Sequence, residues 1–172
     1  GLTFAARYHI PTAVVPSKDF LTRDAFDAAL MAEIDCYAPD LVVLAGFMRI
    51  LTQRCVAHYA GRMLNIHPSL LPSFPGLATH RQALAAGVRI HGATVHFVTA
   101  DLDHGPIVAQ VAVAVHDDDT EHALSERVLQ QEHRIYPQAV KWFVEGLLRL
   151  HDGRVTLDPA VPHDTTILKV PA

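Results

Sequence analysis

Hydrophobic positions along this chain change period several times, and each change marks an element. Residues 11–16, PTAVVP, are a short apolar run between prolines and predict a strand. From 22 to 37 the spacing switches to Phe26, Leu30 and Ile34, at i, i+4 and i+8, which predicts a helix. Residues 40–46, DLVVLAG, are continuously apolar, as in a strand buried on both faces of a parallel sheet; 52–59 predict a helix and 62–66 a further strand. A short helix over 78–86 stops at Gly87, where a left-handed cap costs little. Two strands follow, over 93–98 and 107–115. Their connection, 99–106, is too short for a helical crossover, so the pair is expected to be antiparallel. Asp119 or Thr120 caps a long last helix carrying Leu124, Val128, Ile135 and Val140, with a bend expected near Pro137. From His151 the chain reads as a polar, proline-bearing tail. The alternation of strand and helix predicts an α/β fold, a single domain over 1–172 with 151–172 as its tail.

Composition narrows the function classes. A length of 172 residues with 50% hydrophobic and 19% charged residues suits one globular core. Net charge is −4 without a basic run, which argues against nucleic acid or a charged membrane surface as partner. No apolar stretch approaches a membrane span and no signal-peptide pattern opens the chain. Cys36 and Cys55 have no metal-like spacing and read as reduced, structural thiols, which suggests a cytoplasmic protein.

The candidate chemistry gathers at 65–76, NIHPSLLPSFPG. Side chains alternate in a strand, so Asn65 and His67 share a face at its carboxyl end, where open α/β sheets bind ligands. An amide donor beside an imidazole suits a reaction that builds negative charge on a carbonyl oxygen and moves a proton nearby. Asp103, in the Gly105-bearing connection, could reach that face and favour the imidazolium; an Asx turn is the competing role. Glu132 lies on the inner stripe of the last helix, where a carboxylate needs a ligand or a partner such as Arg127. GFMRIL at 46–51 could bed a flat heterocycle. Arg23, at a helix start, is a solvated charge or a grip for a carboxylate tail. Twelve histidines invite a metal, yet His67, His96, His104 and Asp103 lack ligand spacing, and no metal is expected.

Five segments, DLVVLAGFMRIL at 40–51, the 65–76 motif, HGATVHFV at 91–98, DLDHGP at 101–106 and QEHRIYP at 131–137, closely resemble the phosphoribosylglycinamide formyltransferase family in order and spacing. The resemblance implies an open, mainly parallel sheet with helices on both faces. It also implies formyl transfer from 10-formyltetrahydrofolate to the amine of 5-phosphoribosylglycinamide, in purine synthesis. By it, Asn65, His67 and Asp103 match the catalytic trio; Arg23, Met48, Arg49, Ile50, Leu51 and Asn65 match folate-binding positions; and Glu132 matches a ribonucleotide-site residue. A homodimer is plausible for such a fold.

The family opens with a strand and a glycine-rich phosphate loop, and this sequence supplies neither, so the polypeptide is expected to extend upstream of Gly1 with the first βαβ unit. The competing readings are a formyltetrahydrofolate hydrolase on the same fold and a non-catalytic folate-binding fragment. A related formyltransferase acting on methionyl transfer RNA would need a further, nucleic-acid-binding domain.

Overall fold

The computed structural model describes residues 1–159, 161 and 168–169. After a short helix α1 (Leu2–Arg7) come α2 (Arg23–Asp35), β1 (Val42–Leu44), α3 (Gln53–His58) and β2 (Met63–His67). Then follow α4 (Thr79–Ala85), β3 (Ile90–Phe97), β4 (Ile107–Ala114), α5 (Glu121–Val144), the hairpin β5 (Leu148–His151) and β6 (Arg154–Leu157), and β7 (Leu168–Lys169). The main sheet runs β1-β2-β3-β4-β7. It is a mixed α/β sheet: β1 and β2 pair parallel, whereas β2–β3, β3–β4 and β4–β7 are antiparallel. The expected antiparallel pair is therefore present, and antiparallel pairing begins one strand earlier, at β2.

Alternation along β2 divides the core. Met63 packs with Met31 of α2, Val42, and Cys55 and Tyr59 at α3. Leu64 and Ile66 point the other way, into the larger cluster with Val95, Val108 and Val111 and with Leu124, Val128, Ile135 and Trp142 of α5. Helices thus cover both faces of the sheet, each burying the apolar stripe that its sequence carries. Their starts are set by caps: the hydroxyls of Thr22, Thr52 and Thr120 each accept a backbone N–H from the first turn of α2, α3 and α5, worth about 1 kcal/mol apiece. α2 follows its expected stripe, with Phe26 and Met31 buried and Leu30 and Ile34 half-buried. Pro137 lies inside α5.

Three expectations change. Residues 11–16 are extended but form no strand, because no neighbouring strand pairs with them, and Val14 is 67% exposed. β1 is buried on one face only: Val42 is buried while Val43 is 43% exposed. The tail expected from His151 begins instead inside the β5–β6 hairpin, whose Val155 and Leu157 close the core beside α5; most of 158–172 falls outside the described residues. No described helix is long and apolar enough to cross a membrane. Cys36 is exposed and Cys55 buried, both free thiols; burial pushes the Cys55 thiol up to about 11, which makes it inert.

Candidate active site

β2 ends where β3 crosses it antiparallel, in a register that sets Asn65 opposite His96 and His67 opposite Thr94. Asn65 and His67 therefore share the face that the alternation predicts, and the β3–β4 connection brings Asp103 to them. Asp103 takes a left-handed backbone, φ 55°, a conformation that costs a non-glycine residue about 1 kcal/mol or more and persists where surroundings enforce it. Gly105 permits the approach, since a Cβ there would lie 1.7 Å from the Phe97 carbonyl oxygen.

Asp103 Oδ2 accepts the Gly76 N–H at 2.8 Å and lies 3.5 Å from His67 Nδ1, both side chains 7% exposed. The second distance is that of an ion pair rather than a tight hydrogen bond. His67 Nε2 lies 3.0 Å from the Phe74 carbonyl oxygen. Both ring nitrogens thus face oxygen acceptors, an arrangement that accommodates the doubly protonated ring.

His96, weighed from sequence only as a metal ligand, belongs to the same cluster. Its Nδ1–H donates to the Phe97 carbonyl at 2.9 Å, so Nε2 carries the lone pair and accepts from Asn65 Nδ2 at 3.3 Å. Burial pushes its pKa down, and the 3.9 Å approach of His96 Nε2 to Asp103 Oδ1 is then not an ion pair. The neutral ring orients the Asn65 amide, leaving the second N–H for the cleft. Only the cross-strand register could have singled out His96 beforehand.

The loop after His67 is held from behind. Thr94 Oγ1 donates to the Ser69 carbonyl at 2.7 Å and accepts from Leu71 N and from Gln110 Nε2 at 3.0 and 2.9 Å. Gln110 also donates to the Leu71 carbonyl, Ser69 Oγ to the Ser73 carbonyl, and Thr79 Oγ1 to the Pro68 carbonyl. These bonds together fix one loop conformation.

A cleft of about 610 Å³ opens in front, lined by residues that include Met48, Arg49, Ile50, Asn65, His67, Asp103 and Glu132. A smaller recess of about 70 Å³ continues from it, between Leu51, Val98 and the 99–103 connection. Apolar walls with a few convergent polar groups suit a flat, partly polar ligand. Met48 is 81% exposed, and the Arg49 guanidinium lies 4.6 Å from the centre of the Phe26 ring on α2. Arg23 is exposed, one turn before Phe26, and is not among the residues lining either space.

Glu132 reaches the cleft from α5 because Tyr136, one turn on, bonds the carbonyls of Leu44 and Leu64 at 2.7 and 2.9 Å and ties the helix to β1 and β2. Glu132 forms no ion pair with Arg127, which forks onto Asp119 at 2.7 and 2.8 Å instead. Burial raises its pKa, with His133 and His67 opposing, as expected for a carboxylate held for a ligand. Cleft residues that sequence reasoning passed over include Pro68, Leu77 and Leu102, in connections that give no periodic signal, and Thr79 and His80 at the start of α4. No group of three or more histidine, cysteine or acidic side chains is arranged to hold a metal among the described residues.

The formyl transferase family model matches residues 1–140. Phosphoribosylglycinamide formyltransferase of Escherichia coli (strain K12) is 52% identical over 92% of this chain and 74% of its own length. The solved structure of phosphoribosylglycinamide formyltransferase from Coxiella burnetii superposes with a TM-score of 0.87 at 49% identity, covering 92% of this chain and 74% of that one. A formyltetrahydrofolate deformylase from Pseudomonas syringae superposes at 0.85 with 30% identity, covering 91% and 52%. A family match over residues 1–140, together with half-identical relatives aligned along nearly all of the chain, means that this protein belongs to the formyl transferase family.

Proposed function

We propose that this protein transfers the formyl group of 10-formyltetrahydrofolate to the amine of 5-phosphoribosylglycinamide, a step of purine biosynthesis. The observation that carries this reading is the convergence of Asn65, His67 and Asp103 at the mouth of a folate-sized cleft, in a chain 52% identical to a phosphoribosylglycinamide formyltransferase. Bound in the cleft, the folate supplies an already activated formyl carbon, so the protein's part is orientation, charge and proton handling.

In this reading the Asn65 amide, oriented by neutral His96, donates to the formyl oxygen as the attacking amine pushes negative charge onto it. His67 adds a second donor through its Nδ1–H, which Asp103 at 3.5 Å does not hold in a tight hydrogen bond, and, as imidazolium, a positive charge beside that oxygen. It then supplies the proton needed by the departing folate nitrogen, directly or through a water. Asp103, itself anchored by the Gly76 N–H, faces Nδ1 and stabilises the charged ring. Met48, Arg49, Ile50 and Leu51 wall the heterocycle, Arg23 meets the carboxylate tail at the open end, and Glu132 bonds the ribonucleotide. Residues 1–172 belong to one formyltransferase domain, its two core clusters meeting on opposite faces of β2; it works in the cytoplasm, and a homodimer is one possible assembly.

The neighbouring deformylase keeps a second reading in play, in which water takes the place of the amine in the same cleft. Incubation with 10-formyltetrahydrofolate, with and without 5-phosphoribosylglycinamide, separates the two. Formylated ribonucleotide formed only when the amine is present supports transfer, whereas formate release at the same rate in both mixtures overturns it. Sedimentation measures the assembly.

A further inference from the structure

The mechanism leaves a buried imidazole unused. His91 of β3 is fully buried, and neither ring nitrogen has a hydrogen-bond partner among the described residues. Its ring meets two others edge-on: His80 of α4 at 5.3 Å between centroids and 85°, and Phe74 at 5.9 Å and 65°. Phe74 is the residue whose carbonyl faces His67 Nε2. We propose that His91 is a positioning residue for the active-site loop, its neutral ring serving as an aromatic prop behind Phe74 that keeps the Phe74 carbonyl against His67.

A fully buried imidazole with unpartnered nitrogens costs free energy that an apolar side chain in its place would avoid. Packing is what remains for it to contribute, and edge-to-face contacts of aromatic rings stabilise by about 0.5–1.5 kcal/mol beyond burial. Phe74 itself takes a left-handed backbone, φ 54°, so its carbonyl direction depends on what holds the residue. The hydrogen bonds from Thr94, Ser69 and Gln110 end at Ser73. From Phe74 to the Gly76 N–H, the contacts of Phe74 with His91 and His67 and of the Gly76 N–H with Asp103 take over.

The prop has a charge condition. The groups facing His91 are His80 from α4 and His67 from the end of β2, both repelling a proton there, while Glu121 at the start of α5 acts on His80. The Pro68 carbonyl, which accepts from Thr79, lies near enough to favour the proton but makes no hydrogen bond to either ring nitrogen. Burial is the largest influence and holds His91 down to about 4. Above that value the prop is neutral and apolar; below it, a cation sits against Phe74 and the loop loosens.

Two substitutions of similar volume test this. His91→Phe keeps an aromatic edge and His91→Leu removes it. The readouts are the ring-nitrogen NMR signals of His67, which do not depend on the formyl-transfer reading, and kcat, which rests on it. His91→Phe should keep the hydrogen-bonded Nε2 signal and kcat. His91→Leu should lose the signal and about tenfold in kcat, with both KM values within about twofold. Equal retention by both variants, with only the thermal midpoint lowered, would reduce His91 to core filling and overturn the proposal, as would loss in both. In the unmodified protein, acid titration should move the His91, Phe74 and His67 signals together near pH 4. Titration of His91 near 6.5 without any change at His67 also overturns it.

Discussion

The two walls of the cleft are built on opposite principles. Residues 68–76 carry the Phe74 and Gly76 contacts to His67 and Asp103, and their polar groups are tied down by Thr94, Gln110, Ser69 and Thr79. Residues 46–51 face the same space with Met48 and Ile50 81% and 53% exposed. They are moored to α2, through Arg49 on the Phe26 ring and through Asp27, whose buried Oδ2 accepts the Thr52 N–H at 2.6 Å. In the proposed reaction the first wall has to brace donors and a proton within tenths of an ångström of a developing charge, whereas the second has only to cover an apolar ring. In that reaction the densely hydrogen-bonded wall braces the chemistry of His67 and Asp103, and binding falls to the wall that can still adapt.

The sharpest break of this comparison removes the chemistry and spares the binding wall. Asn65→Ala and His67→Ala should each lower turnover by about a hundredfold or more while folate affinity changes far less. Steady-state rates with a binding titration check it, and near-normal turnover in both would sink the assignment. Next in size is Thr94→Val, which strands the Leu71 N–H and the Ser69 carbonyl and removes one of the Gln110 amide's two acceptors. About 1–3 kcal/mol of stability should go, and turnover about tenfold with it, as His67 loses its fixed place. Denaturant unfolding beside kinetics tests whether the two losses travel together.

On the adaptive wall, Asp27→Ala should raise the folate KM several-fold, on the order of the cost of a lost buried hydrogen bond, with kcat nearly unchanged. A folate analogue should protect 47–51 and 99–103 from hydrogen exchange in the parent protein, and protect 47–51 less in the variant. Protection confined to residues beyond 151 would refute the placement. The smallest effect is on stability at Glu132. Burial raises its folded pKa, so ionisation is disfavoured in the folded chain and stability is lost as pH rises through that value. Glu132→Gln should therefore raise the thermal midpoint at pH 7, leave it little changed below the ordinary carboxylate pKa, and weaken ribonucleotide binding. A lower midpoint at pH 7 would mean that the carboxylate has a partner.

Much of this was legible in one dimension. The period-2 relation of Asn65 to His67 placed both on one face because a strand leaves no other option, and the stripe on α5 pointed Glu132 inward for the same geometric reason. The short connection 99–106 required an antiparallel pair. What misled was local resemblance to an element without its partner: residues 11–16 have strand composition, yet strands exist only as pairs, and composition cannot say whether a neighbour stands beside them. The segment from 151 erred the other way. Its polar letters hid Val155 and Leu157, which a two-strand hairpin turns into the core.

Sequence by itself determined most of the elements between 22 and 144, the face shared by Asn65 and His67, and the family, since periodicity and motif spacing are properties of neighbouring residues. Tertiary structure alone decided that His96 orients Asn65, that Arg127 is spent on Asp119 and leaves Glu132 to the cleft, and that Arg49 lies on Phe26. These are relations between side chains 8 to 31 positions apart or on different elements. They come into being only when strand register and helix packing bring the groups within a few ångströms, where hydrogen bonding and burial act.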